Sequence, residues 1–182
     1  MIAIKGWRVL VVAMLVSMSG LASAAQALPA GTSFEAGFSP SQGALDVVLK
    51  GIRMARTQIL VAAYSFTSKP VATALVDAQR RGVKVFVVAD QAENSKGYSA
   101  TTFLANAGVP VRLNGKYSIL HDKFMVIDGE HVQLGSFNYS SAAVSKNAEN
   151  VLLLWHAQPI ADVYSVEWKR LWDEAVPLAK AY

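Results

Sequence analysis

Cysteine is absent from all 182 residues, which excludes disulfides and any zinc site built on thiolates. Charge is sparse as well, with Asp, Glu, Lys and Arg making up 16% of the chain and a formal net charge of only +4. That balance permits a polyanionic partner without demanding one, because nucleic-acid binding needs a local patch of Lys and Arg rather than a high net charge. No apolar run reaches the roughly 20 residues that a bilayer span requires. Histidine occurs only three times, at His121, His131 and His156, so imidazole chemistry has few places to sit.

The first residues have the layout of a secretory leader. Lys5 and Arg8 form a positive start, Val9 to Met18 an apolar stretch, and Ala22-Ser23-Ala24 a small-residue cleavage site. A second cleavage site ends Ala25-Gln26-Ala27. The expectation is a signal peptide over residues 1–24, a mature domain over 25–182, and a periplasmic or secreted protein with no stable membrane insertion after cleavage. Losing Lys5 and Arg8 lowers the formal net charge from +4 to +2. An oxidising compartment without cysteine leaves the hydrophobic core to supply stability.

Beyond an Ala, Pro and Gly-rich lead, helical and strand-like patterns alternate, the mark of an α/β domain. Leu45, Val48, Leu49 and Ile52 recur at helical spacing within 41–56, and an apolar strand follows over 58–66. Pro70 opens a second helix that stops at Arg80-Arg81-Gly82, ahead of a β-branched strand over 83–89. A short helix over 100–107, a strand over 109–113, strand-like runs over 120–127 and 131–137, a strand over 150–155 and a C-terminal helix complete the pattern. This predicts one domain with a mixed β-sheet flanked by helices on both faces.

Asp128-Gly129-Glu130 separates two strand-like runs, and Asp-Gly is a strong hairpin signal. Side chains alternate along a strand, so His121 and Lys123 project to one side of theirs, and Ser136 and Asn138 likewise share a side of theirs. A two-residue turn at Asp128-Gly129 sets His121 opposite Ser136, and one at Gly129-Glu130 sets it opposite Asn138. Either register gathers all four on one face, whereas a three-residue loop turns Ser136 and Asn138 away. An imidazole, an ammonium, a hydroxyl and an amide together suit an anionic tetrahedral centre such as a phosphodiester. Imidazole can attack such an anion uncharged, where a carboxylate would be repelled.

His121-Asp122-Lys123, four further residues and then Asp128 resembles the HxKxxxxD motif of the phospholipase D superfamily, and Gly135-Ser136-Phe137-Asn138 is similar to its downstream GSxN. Glu149, eleven residues past Asn138, stands where small single-motif members carry a glutamate that orients the nucleophilic histidine. The resemblance is greatest to small bacterial endonucleases that cut DNA and RNA without a divalent metal. It implies a phospholipase D/nuclease-like fold, no cofactor, His121 as nucleophile, and Lys123 and Asn138 on the phosphoryl oxygens. The family mechanism needs a second histidine, and neither His131 nor His156 lies in a second motif. A homodimer that brings two His121 side chains together is therefore expected.

Plainer readings stand beside these. A turn aspartate is a common structural device, so Asp128 is expected to support the fold rather than act directly. Ser136 could cap a segment, Glu149 could be a surface charge, and His131 and His156 are read as structural. Tyr64, Phe66, Lys69, Lys116 and Tyr139 are candidates for a stacking and basic rim on nucleic acid, although core packing or solvation suits each one singly. A phospholipase acting on membrane lipids is the alternative enzyme, and it should show an exposed apolar patch near the site. A metal-dependent nuclease would need Asp122, Asp128, Glu130 and Glu149 to converge, yet Asp122 should face away from His121 and Lys123.

Overall fold

The computed structural model describes residues 25–95 and 99–181, so the expected leader lies outside the described residues. Regular structure begins with β1 (Ser33–Ser39), α1 (Ala44–Met54), β2 (Gln58–Ala63), α2 (Lys69–Arg80), β3 (Lys84–Asp90), α3 (Gln91–Asn94), α4 (Ala100–Asn106) and β4 (Val111–Asn114). It continues through β5 (Phe124–Ile127), β6 (His131–Gly135), α5 (Ser141–Ser145), β7 (Glu149–Trp155), α6 (Gln158–Asp173) and β8 (Val176–Pro177).

These strands form one mixed sheet in the order β1-β7-β6-β5-β2-β3-β4-β8. The pairs β2–β3 and β3–β4 are parallel, and the others are antiparallel. The central strands are apolar on both sides because both faces are covered. Ile59, Val61, Met125 and Ile127 meet α1, α2 and α4 through Ile52, Leu75 and Leu104. The alternate residues Leu60, Phe124, Val126 and Val132 meet Trp168 and Leu171 of α6. The buried Trp168 indole N–H donates to the Val61 carbonyl at 2.9 Å, fixing α6 to the middle of the sheet. The expected layering, helices on both faces of a mixed sheet, is the one found.

Two strands fall outside the sequence reading. β1 is an edge strand whose Phe34 and Phe38 face solvent, the reverse of the apolar-in pattern that betrays a strand. β8 has only two residues, too few for any periodicity. The hairpin also differs. Phe124 pairs with Leu134 and Ile127 with His131, leaving Asp128, Gly129 and Glu130 as a three-residue connection, so neither two-residue register is adopted. Left-handed backbone at Asp128 (φ 55) and Gly129 (φ 72) makes this turn.

Asp128 does more than turn the chain. Its carboxylate accepts from the backbone N–H groups of Arg56, Thr57 and Gln58 at 2.8 to 3.1 Å, and from the Thr57 hydroxyl at 3.0 Å. The hairpin tip is thereby tied to the entry of β2. Burial alone would raise the Asp128 pKa, but these hydrogen bonds outweigh it and hold the carboxyl below its ordinary value. Replacing it by Ala is expected to cost roughly 2 to 4 kcal/mol in denaturant unfolding. A carboxyl lowered in the folded state contributes stability above its unfolded pKa of about 3.9, and that contribution is lost as pH falls through the lower folded value. Asp128→Asn should therefore differ from wild type near neutrality and converge with it in acid; a difference that persists in acid contradicts this assignment.

Candidate active site

The pairing of β5 with β6 ends at Phe124 and Leu134. His121 to Lys123 precede β5, and Ser136 to Asn138 follow β6, so strict alternation governs neither segment. Gly135 carries the departure. Its φ of 146 is a value that favours glycine, and a Cβ there would lie 2.3 Å from the Asn150 carbonyl oxygen. β6 and β7 can therefore close tightly where Ser136 swings out of the pleat. The result is a cleft of about 660 Å³ lined by His121, Lys123, Ser136, Asn138 and Glu149. His121, Lys123, Ser136 and Asn138 do meet despite the three-residue loop, because both segments lie outside the β5–β6 ladder.

His121 is exposed to the cleft, and its ring packs edge-on against Tyr64 at 4.8 Å between centroids. Tyr64 stands behind the imidazole rather than among the lining residues. Lys123 is buried, with its ammonium 5.4 Å from the centre of the Tyr64 ring and donating to the His121 carbonyl at 2.6 Å. Burial pushes the Lys123 pKa down, and the charges of Asp122 and Glu149 partly restore it. A cation held close to low-dielectric surroundings attracts an anion more strongly than a solvated one does.

The Ser136 hydroxyl is fully committed. It donates to Glu149 Oε2 at 2.6 Å and accepts from the Asn150 backbone and side-chain N–H groups at 3.1 and 3.2 Å. Asn147 Nδ2 donates to Glu149 Oε1 at 3.0 Å. Within this chain the Glu149 carboxylate thus accepts from Ser136 and Asn147, and no hydrogen bond from the imidazole N–H of His121 reaches it. Asn138 lines the cleft, and its amide oxygen is buried there without a hydrogen-bond partner. Lys123 and Asn138 are accordingly the side-chain donors that an anion in the cleft could use.

Asp122 departs from expectation by lining the same cleft. Its pKa is raised by burial and by Glu167 of α6, against the opposing charges of Lys123, Arg170 and His121. Tyr164 and Leu134 also line the cleft, and nothing in the sequence connects α6 to the motif. Continuing past them is an apolar trough of about 500 Å³ walled by Leu28, Ile160 and Val163 as well as by Leu134 and Tyr164.

Other candidates lie elsewhere. Asp128 sits at the opposite end of β5, engaged by β2. Phe66 and Tyr139 are fully buried core residues, with the Tyr139 hydroxyl bonded to Gln133 at 2.6 Å. Lys69 lines a groove between α1 and α2, and the Lys116 ammonium is paired with Glu174 at 2.6 Å. Among the described residues, the one group able to gather metal ligands is Glu130, His131 and His156 at the hairpin tip. His131 Nδ1 accepts from the His156 backbone N–H at 3.0 Å, so its neutral ring carries the proton on Nε2, which faces Glu130 at 3.4 Å. A cation there would have to break that arrangement. Burial also keeps the His131 pKa low, with Glu130 opposing. The acidic residues Asp122, Asp128, Glu130 and Glu149 do not form one cluster.

Comparison with known proteins bears on the fold and the family. The structure superposes on Nuc, a phospholipase D family member from Salmonella typhimurium, with a TM-score of 0.80 and 36% identity, covering 82% of this chain and 99% of that one. A phospholipase D of Rickettsia bellii is 34% identical over 131 residues, which is 72% of this chain and 65% of the relative. The mitochondrial cardiolipin hydrolase of Mus musculus is 28% identical over 137 residues, 75% of this chain and 62% of the relative. The chain thus spans somewhat less than two thirds of these two relatives. Residues 48–172 match the family described as "Cardiolipin synthase, PLD-like domain", and the chain belongs to this family of the phospholipase D superfamily.

Proposed function

We propose that this protein is a metal-independent endonuclease of low sequence preference that hydrolyses DNA, and RNA by the same chemistry, through a phosphohistidine on His121. The observation that carries the reading is the cleft itself, where an exposed imidazole stands beside a buried ammonium and the amide of Asn138. A phosphate of the nucleic-acid backbone is the element such a site recognises, and bases play no part in it. The likeness to Nuc over nearly that protein's whole length supports the choice.

In the first step an imidazole nitrogen of His121 bonds to phosphorus as the P–O bond to the leaving oxygen breaks. Lys123 and Asn138 hold the non-bridging oxygens, and Ser136 and Glu149 fix the wall that carries Asn138. The leaving oxygen needs a proton, and the cleft of one chain offers no second histidine, since His131 and His156 lie at the hairpin tip. His121 of the partner subunit in a two-fold dimer would donate it, then take a proton from the water that attacks phosphorus and breaks the P–N bond. Export through residues 1–24 to the periplasm or beyond belongs to the same proposal.

A second reading, hydrolysis of a phospholipid, is favoured by the apolar trough that shares Leu134 and Tyr164 with the cleft. Leu28 and Val163 are 49% and 61% exposed there, the kind of patch that a lipid enzyme needs beside its site. The names of the Rickettsia and mouse relatives point the same way.

Residues 25–182 incubated with plasmid DNA in excess EDTA should cut it, and His121→Ala should lower the rate by on the order of 10³-fold or more. Lys123→Met should cost about 10²-fold, and Ser136→Ala, acting through Glu149, roughly tenfold. Adding excess His121→Ala subunits should poison the wild-type enzyme by forming mixed dimers; undiminished activity in that mixture would sink the dimer. Intact DNA together with phosphatidic acid released from cardiolipin or phosphatidylcholine vesicles would replace the nuclease by the lipid enzyme.

A further inference from the structure

Two buried polar residues outside the cleft, Asp90 and Asn94, are 2% and 5% exposed. Asp90 ends β3 and caps α3, its Oδ1 accepting from the Glu93 N–H at 2.8 Å. One oxygen completes that cap, and an uncharged Ser or Asn could provide it. The second oxygen reaches a segment 30 residues away and accepts from the Leu120 N–H at 2.8 Å. Leu120 directly precedes His121 and belongs to no strand, so this bond ties down the backbone that carries the imidazole. Burying a carboxylate is costly unless strong hydrogen bonds repay it, and the Leu120 contact is what a carboxylate adds here beyond a simple cap.

Asn94 acts on the segment that carries Tyr64. Its Nδ2 donates to the Tyr64 carbonyl at 2.6 Å and to the Asp90 carbonyl at 2.9 Å, while its Oδ1 accepts from the Phe66 N–H at 3.2 Å and the Ser99 hydroxyl at 3.0 Å. All four hydrogen-bonding positions of the amide are filled. The clamped segment carries Tyr64, whose ring packs against His121 at 4.8 Å and lies 5.4 Å from the Lys123 ammonium.

We propose that Asp90 and Asn94 form a buried brace that positions His121 from two directions, through the Leu120 backbone and through the Tyr64 ring. They are positioning residues and touch no substrate. The brace refers both segments to one point, the end of β3, which is not a neighbour of β5 in the sheet. This inference rests on His121 being the reacting group, and errors of about 1 Å in such a group can cost on the order of 10²-fold in rate.

Asp90→Ser is the variant that separates the two jobs, because a serine hydroxyl can still cap α3 but is too short to reach Leu120. With bis(4-nitrophenyl) phosphate in EDTA, kcat should fall on the order of 10- to 100-fold with KM changed less than about threefold. The ring ¹⁵N signals of His121 should shift in the same variant, while those of His131 and His156, at the far end of the hairpin, stay in place. An unshifted His121 signal in folded Asp90→Ser overturns the brace, as does a change spread equally over all three histidines. Should Asp90→Ser not fold, hydrogen exchange on the wild type decides: the Leu120 amide should be protected although it lies outside every strand, and exchange at an open-loop rate overturns the proposal. A wild type that cleaves no phosphodiester would defeat the functional reading alone, since the ring signals and the exchange still test the brace.

Discussion

At Gly135 two strands approach more closely than any side chain allows, and the cleft is assembled on that approach. With the Asn150 carbonyl oxygen 2.3 Å from where a Cβ would sit, β7 can present Asn150 and Glu149 directly to Ser136. The Ser136 hydroxyl then joins three groups at once. Asn138, two residues on, follows from the same departure out of the pleat. On the facing side, the early end of β5 frees His121 and Lys123 to turn inward, and Asp90 holds that segment from behind.

The electrostatics of the cleft follow from burial. Burial lowers the Lys123 pKa, and the negative charges of Asp122 and Glu149 oppose that shift. A phosphodiester entering the cleft would bring its negative charge to this buried ammonium. Preorganised donors of this kind stabilise charge as it builds in the transition state without reorganising at the moment of reaction. A single imidazole can form the covalent intermediate but cannot also protonate the leaving oxygen, and that chemical shortfall is the reason to expect two chains at one site.

Much of this was legible in the sequence, for identifiable reasons. The helices with strong apolar faces, the β-branched central strands and the linked motif from His121 to Asn138 all show in local pattern. Features that depend on contacts between distant segments did not show. The register of the β5–β6 hairpin turned on left-handed backbone at Asp128, an aspartate that Arg56 to Gln58 hold in place. The alternation that turns Asp122 away requires a strand reaching back over 120–127, and a β5 that starts at Phe124 removes that premise. Glu149 accepts from Ser136 and Asn147, contacts across two strands and a loop that no spacing in the sequence encodes. Tyr164 and the apolar trough become visible only when α6 is laid across the sheet, and no spacing in the chain encodes that crossing. Asp90 and Asn94 belong to no motif, although an aspartate closing a β-branched strand before a polar stretch is a helix-cap signal in its own right.

The central claim is covalent chemistry on His121, and the most direct measurement is to look for the intermediate. Turnover of a phosphodiester substrate in EDTA would be stopped with alkali, under which phosphohistidine survives, and the peptides mapped by mass spectrometry. The account predicts a substrate-derived phosphoryl adduct on His121 that forms during turnover and disappears when substrate is exhausted. An adduct on another residue, or continued cleavage by His121→Ala with no adduct at all, would contradict it.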